Sequence, residues 1–264
     1  MRTLYFDCFA GASGNMILGA LIDAGVDETA LKQSLRGLAI SDFELSVRKV
    51  DRSGIASTHV EVNVPHEHVH RHLHNIEKII GDADLPDAVK VRAKAIFRRL
   101  AEAEASVHGI PIEKVHFHEV GAMDAIVDIV GACVAFEMLG IERFACSKIH
   151  VGSGFVNMAH GKFPVPPPAV AKLLEGRQIY STEIEGELMT PTGAAIIATV
   201  CDSYGLIPEM LVEYTGYGAG TREYEKFPNA LRVMIGESGA TTASRDRSTL
   251  SERLILMETN IDDI

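Results

Sequence analysis

The chain opens with RTLYFDC at residues 2–8, followed by FAGASGN at 9–15 and MILGALIDA at 16–24. This order predicts a strand, a glycine-rich turn over 10–14 and a helix that Gly25 ends. Glycines at such a turn expose backbone N–H groups, and the N-terminus of a helix favours an anion. Since the turn is neither a GxGxxG fingerprint nor a P-loop, a phosphate site and an ordinary tight turn are both open.

Predicted helices and strands alternate along the rest of the chain. Helices are predicted at 27–38, 72–81, 86–107, 121–139, 168–175 and 190–204. Strands are predicted at 42–50, 55–64, 143–151, 178–184, 209–216 and 229–236, with a glycine- and proline-rich loop over 152–168. This interleaving predicts an α/β or α+β fold with a mixed sheet, whose strand order the sequence does not reveal.

Composition limits the partners and the compartment. The 264 residues are 47% hydrophobic, and 36 acidic against 25 basic side chains give a net charge of −11, which disfavours nucleic acid. The cysteines Cys8, Cys133, Cys146 and Cys201 form no CxxC pair, which fits a reducing cytoplasm rather than a disulfide scaffold. We find no signal-peptide pattern and no apolar run of about 18 residues, so neither export nor a membrane partner is predicted.

A histidine tract, PHEHVHRHLH at 65–74, is the first chemical signal. Its histidines are His66, His68, His70, His72 and His74. In an extended segment all five rings share one face, whereas a helix would place the first, third and fifth on one face and the other two on another. Imidazole binds Ni, Zn, Cu or Co, and short histidine-rich tracts are typical of metal binding. A solvated loop is the alternative.

A second signal is VHFHEVGAMDAIVD at 115–128. His116 and His118 alternate, Glu119 follows directly, and Asp124 and Asp128 share a helical face at i, i+4 among apolar neighbours. Two carboxylates in apolar surroundings are costly to bury, and a cation or a shared proton relieves that cost. The pattern favours a metal or acid–base cluster. The solvated side of an amphipathic helix is the competing interpretation.

Three loops carry weaker anion-binding signals. His160 and Lys162 lie in the proline-stiffened loop, and Arg222 lies in the glycine-rich segment 216–222. TPTG at 190–193 is a helix start with a hydroxyl cap that could also bind an anion. Surface loops and simple helix capping explain the same residues.

The C-terminal part changes composition. Residues 237–251 contain one large apolar side chain and read as a flexible linker, after which RLILMETNIDDI at 253–264 starts a new apolar strand. We therefore expect a domain over 1–236, a linker over 237–251 and the start of a further domain over 252–264.

Taken together, these segments resemble the nickel-insertion protein family (LarC), the cyclometallase of nickel-pincer nucleotide biosynthesis. The matching segments are FDCFAGASGNMILGALIDAGV at 6–26, the histidine tract, VHFHEVGAMDAIVDIVG at 115–131, GSGFVNMAHGKFPVPPPAVAKLL at 152–174, GELMTPTGAAI at 186–196, GYGAGTREYEKFPNALRV at 216–233 and ETNIDDI at 258–264. They occur in order along most of the chain.

The resemblance implies a cytoplasmic protein that delivers Ni²⁺ to a thiocarboxylated pyridinium mononucleotide. Nickel is then held by two sulfurs and a ring carbon, so a general base must remove a ring proton. The family uses CTP with Mn²⁺ or Mg²⁺, bound by a C-terminal domain that begins near 258–264. That domain is expected to act in cis or in trans, and assembly into a homo-oligomer is left open.

Residues and resemblance together give a set of predicted roles. Catalysis is assigned to Glu119, Asp124 and Asp128. Metal binding is assigned to His66, His68, His70, His72, His74, His116 and His118. Substrate binding is assigned to Asp7, Ser13, Gly14, His160, Lys162, Thr190, Thr192 and Arg222. The alternatives are a non-enzymatic nickel store or metallochaperone, and then a metal-dependent phosphoesterase.

Overall fold

The computed structural model describes residues 1–38, 40, 43–64, 71–117, 123–158 and 161–239. Its helices are α1 Gly14–Asp23, α2 Glu28–Leu35, α3 Leu73–Asp82, α4 Asp87–His108, α5 Met123–Met138, α6 Pro168–Leu173 and α7 Pro191–Val200, with a 3₁₀ turn at Ile112–Lys114. Its strands are β1 Arg2–Asp7, β2 Glu44–Arg52, β3 Ile55–Asn63, β4 Arg143–Cys146, β5 Ile149–His150, β6 Gly152–Ser153, β7 Phe155–Met158, β8 Gly161–Pro164, β9 Ile179–Tyr180, β10 Gly186–Glu187, β11 Ser203–Tyr204, β12 Met210–Ala219 and β13 Ala230–Ser238.

Seven of these strands form one mixed sheet in the order β11-β4-β1-β13-β12-β3-β2. Strand β1 is an interior strand, parallel to β4 on one side and antiparallel to the central strand β13 on the other. The predicted α/β class with a mixed sheet is confirmed. The order could not follow from sequence because the neighbours of β1 lie far along the chain.

Helix α1 packs directly on the sheet. A Cβ atom at Gly218 of β12 would lie 1.8 Å from the Met16 carbonyl oxygen, so only glycine permits this approach. Leu18 and Leu21 of α1 are fully buried. The short turn over 8–13 places the N-terminus of α1 at the carboxyl end of β1, where ligands bind in open α/β sheets.

Helix α5 lies in the core rather than on the surface. Twelve of its residues are buried, from Met123 to Phe136. It packs against α1, α4 and α2. The segment is therefore not the solvated side of an amphipathic helix, although Asp124 in its first turn is exposed.

Some predicted boundaries were wrong. The loop expected over 152–168 contains β6 and an antiparallel hairpin of β7 and β8, which pairs Phe155 with Pro164. The strand expected over 143–151 is divided into β4 and β5, since Ser147 leaves the ladder and its Oγ accepts from the Cys8 N–H at 2.9 Å. The helix expected to reach residue 204 ends at Val200.

Only the first residues of the predicted C-terminal linker lie within the described part of the chain. Strand β13 continues to Ser238, so the first two residues of the expected linker belong to the sheet. The remainder, from 240 to 264, lies outside the described residues. In the part of the chain that is described, no helix is long and apolar enough to cross a membrane.

Candidate functional site

The histidine tract and the second histidine motif meet in space. Arg71 and Phe117 form an antiparallel bridge, in which the Phe117 N–H donates to the Arg71 carbonyl at 3.3 Å. The bridge sets the ring centroids of His72 and His116 4.1 Å apart, and the ring of His74 stacks on His72 at 5.5 Å. Two motifs that were separate in sequence therefore contribute to one group of imidazoles.

The orientation of His72 is fixed by a backbone contact. Its Nδ1 lies 3.1 Å from the Val115 carbonyl oxygen. Because a carbonyl only accepts, Nδ1 carries the proton and Nε2 carries the lone pair. Metal-binding histidines are commonly oriented by such a contact. His72 is half-buried at the start of α3, whereas His74 and His116 are exposed.

Several predicted ligands cannot be placed. His66, His68, His70, His118, Glu119 and His160 lie outside the described residues. Among the residues that are described, no three or more histidine, cysteine or acidic side chains are placed to hold a metal ion. The three placed imidazoles therefore do not make a closed site by themselves.

The two aspartates of α5 have different environments. Asp124 is exposed, and its carboxylate accepts from the Ala125 N–H at 2.8 Å. Asp128 lies one turn deeper, and its Oδ1 is shielded from solvent with no hydrogen-bond partner among the described residues. Burial, and then the charge of Asp124, raise the pKa of Asp128 well above its ordinary value. Such a carboxyl is suited to hold a proton or to face a cation.

Asp128 packs against the first residue of α1. A Cβ atom on Gly14 would lie 2.4 Å from the Asp128 Oδ2, so glycine is required for this contact. Ser13 is the N-cap residue but makes no capping hydrogen bond, and its hydroxyl donates to the Asn15 side chain instead. The turn thus brings a carboxyl group, rather than a hydroxyl cap, to the N-terminus of α1.

The N-terminus of α7 lies beside the same turn. The Thr190 N–H donates to the Ala12 carbonyl at 3.0 Å, and the Thr190 hydroxyl accepts from the Gly193 N–H at 3.3 Å. A Cβ atom on Gly193 would meet the Ala12 oxygen at 2.3 Å. The predicted hydroxyl cap of α7 is confirmed, and Thr192 in its first turn is half-buried. Two helix N-termini therefore adjoin one turn, which favours an anion there.

The other predicted substrate contacts are dispersed. Asp7 forms an ion pair with Arg232 of β13. The Lys162 ammonium lies over the Phe155 ring, 5.0 Å from its centroid. Arg222 is exposed, and its guanidinium lies against the position that a Cβ on Gly186 would occupy.

Sequence reasoning missed a buried histidine near these loops. His150 is only 1% exposed. The Gly152 N–H donates to its Nδ1 at 3.0 Å, so the protonated Nε2 donates to the Thr182 hydroxyl at 2.8 Å. Burial lowers the pKa of His150. As a single histidine in a strand pattern, it gave no signal in the sequence.

Grouped imidazoles and a shielded carboxyl group in a mixed α/β domain are the chemistry expected of the class of proteins that handle transition-metal ions. More narrowly, the chain belongs to the nickel insertion protein family, whose family model matches residues 4–264.

Curated relatives agree with this membership. A Desulfitobacterium hafniense protein named pyridinium-3,5-bisthiocarboxylic acid mononucleotide nickel insertion protein is 50% identical over 264 residues, all of this chain and 65% of that protein. A putative nickel insertion protein of Dictyoglomus thermophilum is 45% identical, and the match covers all of this chain and 66% of that protein. The chain thus spans about two thirds of the length of these relatives. No solved structure matches it.

Proposed function

We propose that this protein inserts nickel into pyridinium-3,5-bisthiocarboxylic acid mononucleotide, as the names of its relatives state for those proteins. The observation that carries the proposal is the His72–His116 pair, which joins the histidine tract to the motif containing the two aspartates. It supports a path in which nickel is collected by the tract and handed on toward α5.

The imidazole group is proposed to be the nickel entry point. His74 and His116 are exposed, so hydrated Ni²⁺ reaches them without opening the fold. An open group of neutral imidazoles exchanges metal more readily than a closed site of four ligands. His66, His68, His70 and His118 are proposed to supply further ligands.

Asp128 is proposed to take the proton that leaves the pyridinium ring when the nickel–carbon bond forms. A carboxyl with a raised pKa is the better proton acceptor of a carboxylate pair, because its basicity lies closer to neutral pH. Asp124 contributes to that raised pKa through its charge. Glu119 is the alternative proton acceptor that follows from the sequence.

The paired N-termini of α1 and α7 are proposed to hold the substrate phosphate. Ser13, Gly14, Thr190 and Thr192 lie around the turn at these two N-termini. Lys162 and Arg222, which supply donors on an exposed hairpin and an exposed loop, are proposed to contact the thiocarboxylates, together with His160, which lies outside the described residues. Asp7 is retained as a proposed contact through its ion pair with Arg232.

The remaining proposals concern the co-substrate, a further domain, the enzyme class and the compartment. We propose that insertion consumes CTP with Mn²⁺ or Mg²⁺, that a C-terminal domain binds them in cis or in trans, and that the enzyme is a lyase of the cytoplasm. The order of a domain over 1–236, a linker over 237–251 and a further domain from 252 is proposed on composition alone. A homo-oligomer is compatible with it.

A direct assay tests the proposal. This chain, and a version extended to the full length of its relatives, are mixed with Ni²⁺ and the bisthiocarboxylated mononucleotide, with and without CTP. Mass spectrometry then looks for a nickel adduct that has lost one ring proton. We expect the adduct from the extended protein with CTP. Its absence from both proteins under every condition would exclude insertion.

A nickel store or metallochaperone is the second candidate, favoured by the exposure of His74 and His116. The double variant His72→Ala, His116→Ala separates the two functions in the extended protein. An enzyme recovers insertion activity when Ni²⁺ is in excess, because the entry point is then bypassed. A store has no insertion activity to recover and only loses bound nickel.

A further inference from the structure

Three of the four cysteines meet at the carboxyl end of two neighbouring strands. Cys8 follows β1, Cys146 ends β4, and Cys201 follows α7. The Sγ atoms of Cys8 and Cys146 lie 3.6 Å apart, and the Cys201 thiol also hydrogen-bonds to Cys146. The fourth, Cys133 of α5, is fully buried in the core.

The sheet explains why these thiols converge. Strands β1 and β4 are parallel with Phe6 opposite Cys146, so Cys8 emerges at the edge where β4 ends. Strand β11 is parallel to β4 with Tyr204 opposite Cys146, which returns the chain after α7 to the same place. Cys146 is therefore the middle thiol of the trio.

The trio leads from the surface into the interior. Cys201 is 9% exposed, whereas Cys8 and Cys146 have no exposed surface. Hydrogen bonds from Cys201 and Cys8 lower the pKa of the Cys146 thiol, while burial raises the pKa of the other two. A negative charge in the trio is thus best held by Cys146, which makes it the thiol that attacks an oxidised Cys201.

Disulfide formation suits this geometry better than metal binding. Within the described ranges no three metal-ligating side chains are placed to hold a cation. A disulfide needs the two Sγ atoms at about 2.05 Å, so Cys8 and Cys146 must approach each other by roughly 1.5 Å. Their side chains already touch, and no intervening group has to leave.

We propose that the three cysteines form a thiol relay, in which a hydroperoxide oxidises Cys201 and the oxidation ends as a disulfide between Cys8 and Cys146. This inference is independent of the proposed function. It adds a reversible modification site at the base of the turn that carries Ser13 and Gly14.

Each step of the relay balances. The Cys201 sulfur attacks the hydroperoxide and takes one oxygen, giving a sulfenic acid and an alcohol, or water when the oxidant is hydrogen peroxide. Cys146 attacks that sulfur, and the hydroxyl leaves as water with the thiol proton, which gives a Cys146–Cys201 disulfide. Cys8 then attacks the Cys146 sulfur and its proton passes to Cys201, which is released as a thiol. Overall, two thiols lose two electrons and two protons to the hydroperoxide.

The test uses the folded full chain and hydrogen peroxide. After treatment, the protein is unfolded in an alkylating reagent, and non-reducing peptide mapping locates any disulfide. We expect two of the four thiols of Cys8, Cys133, Cys146 and Cys201 to escape alkylation, a Cys8–Cys146 linked peptide, and full recovery with dithiothreitol. Four alkylated thiols, or links between molecules only, would overturn the proposal.

Single variants test the order of the steps. Cys8→Ser should accumulate the Cys146–Cys201 disulfide, and Cys201→Ser should slow oxidation by about tenfold or more. Cys146→Ser should form no intramolecular disulfide. Cys133→Ser is the matched buried control and should behave as the parent chain. Oxidation of Cys201→Ser at the parental rate would refute entry at Cys201, and the peptide map of the parent chain decides the case if a variant fails to fold.

Discussion

The rings of His72 and His116 lie with their centroids 4.1 Å apart and their planes at 48°, although they belong to two different sequence motifs. The contact depends on the backbone bridge between Arg71 and Phe117. It follows that nickel affinity should depend on both motifs together and not on the tract alone.

Replacement of His72 by Ala should weaken Ni²⁺ binding by about tenfold or more, because its Nε2 is oriented by the Val115 carbonyl. The same loss is expected for His116→Ala, and the double variant should lose less than the product of the two if the rings share one ion. Isothermal titration with Ni²⁺ measures these affinities.

The control for this series is His108→Ala. His108 ends α4 and pairs with Glu104 at 3.5 Å, so it offers an exposed imidazole in a helix-terminal setting. Its removal should leave nickel affinity unchanged. Equal losses for His72→Ala and His108→Ala would show that any surface histidine suffices.

Asp128→Asn should remove a pH dependence of stability. The folded-state pKa of Asp128 is raised above the unfolded value of about 3.9. Between those two values the native state holds a proton that the unfolded chain has lost, so the free energy of unfolding falls as pH rises. The variant should lack that fall and should be the more stable protein above it. Denaturant unfolding at several pH values measures the difference.

The same substitution also tests catalysis. Insertion activity of the extended protein should be abolished in the double variant Asp124→Asn, Asp128→Asn. Glu137→Gln, an exposed carboxylate on the same helix, is the matched control and should retain activity. Full activity in the double variant would remove both aspartates from the mechanism.

Gly14→Ala should destabilise the fold by about 1–3 kcal/mol, because its Cβ would overlap the Asp128 carboxyl group. Gly81→Ala in α3 is the control, since its Cβ would meet only the flexible end of Lys94. That change should stabilise by roughly 0.5–1 kcal/mol through helix propensity. Thermal unfolding of both variants gives the sign of each change in the free energy of unfolding. Destabilisation by both substitutions would refute the specific contact between Gly14 and Asp128.

Thr190→Ala should cost about 1 kcal/mol through loss of the N-cap of α7. If this N-terminus holds the substrate phosphate, the KM for the mononucleotide should rise as well. Thr199→Ala, at the other end of α7 with its hydroxyl bonded to the Ala195 carbonyl, should leave KM unchanged. A KM that does not move in Thr190→Ala would place the phosphate elsewhere.

Local patterns predicted much of the fold. The strand, turn and helix over 2–24 follow from side-chain type and glycine position, and so does the hydroxyl cap at Thr190. Sequence patterns failed where the pairing of a strand depends on residues far away in the chain. The hairpin of β7 and β8 was taken for a loop because its glycines and prolines mask its short strands. Strand order was not accessible for the same reason.

The candidate site was predictable in its chemistry but not in its arrangement. The i, i+4 spacing of Asp124 and Asp128 predicts a shared helical face, yet one is exposed and the other shielded because Gly14 packs on the second. Four scattered cysteines gave no indication that Cys8 and Cys146 would touch. Such contacts depend on tertiary packing, which a single sequence does not encode locally.

The pairing of β1 with β13 has a consequence for how the protein is made. Arg2 is opposite Glu237 and Asp7 is opposite Arg232, so this interior strand of the sheet finds one of its two partners only near the end of the described chain. During synthesis, β1 and α1 leave the ribosome long before β13 exists. Non-local pairing of this kind slows folding and leaves the apolar surface of β1 exposed until β13 has been synthesised. We expect chains cut before Ala230 to be held by chaperones or degraded rather than to accumulate.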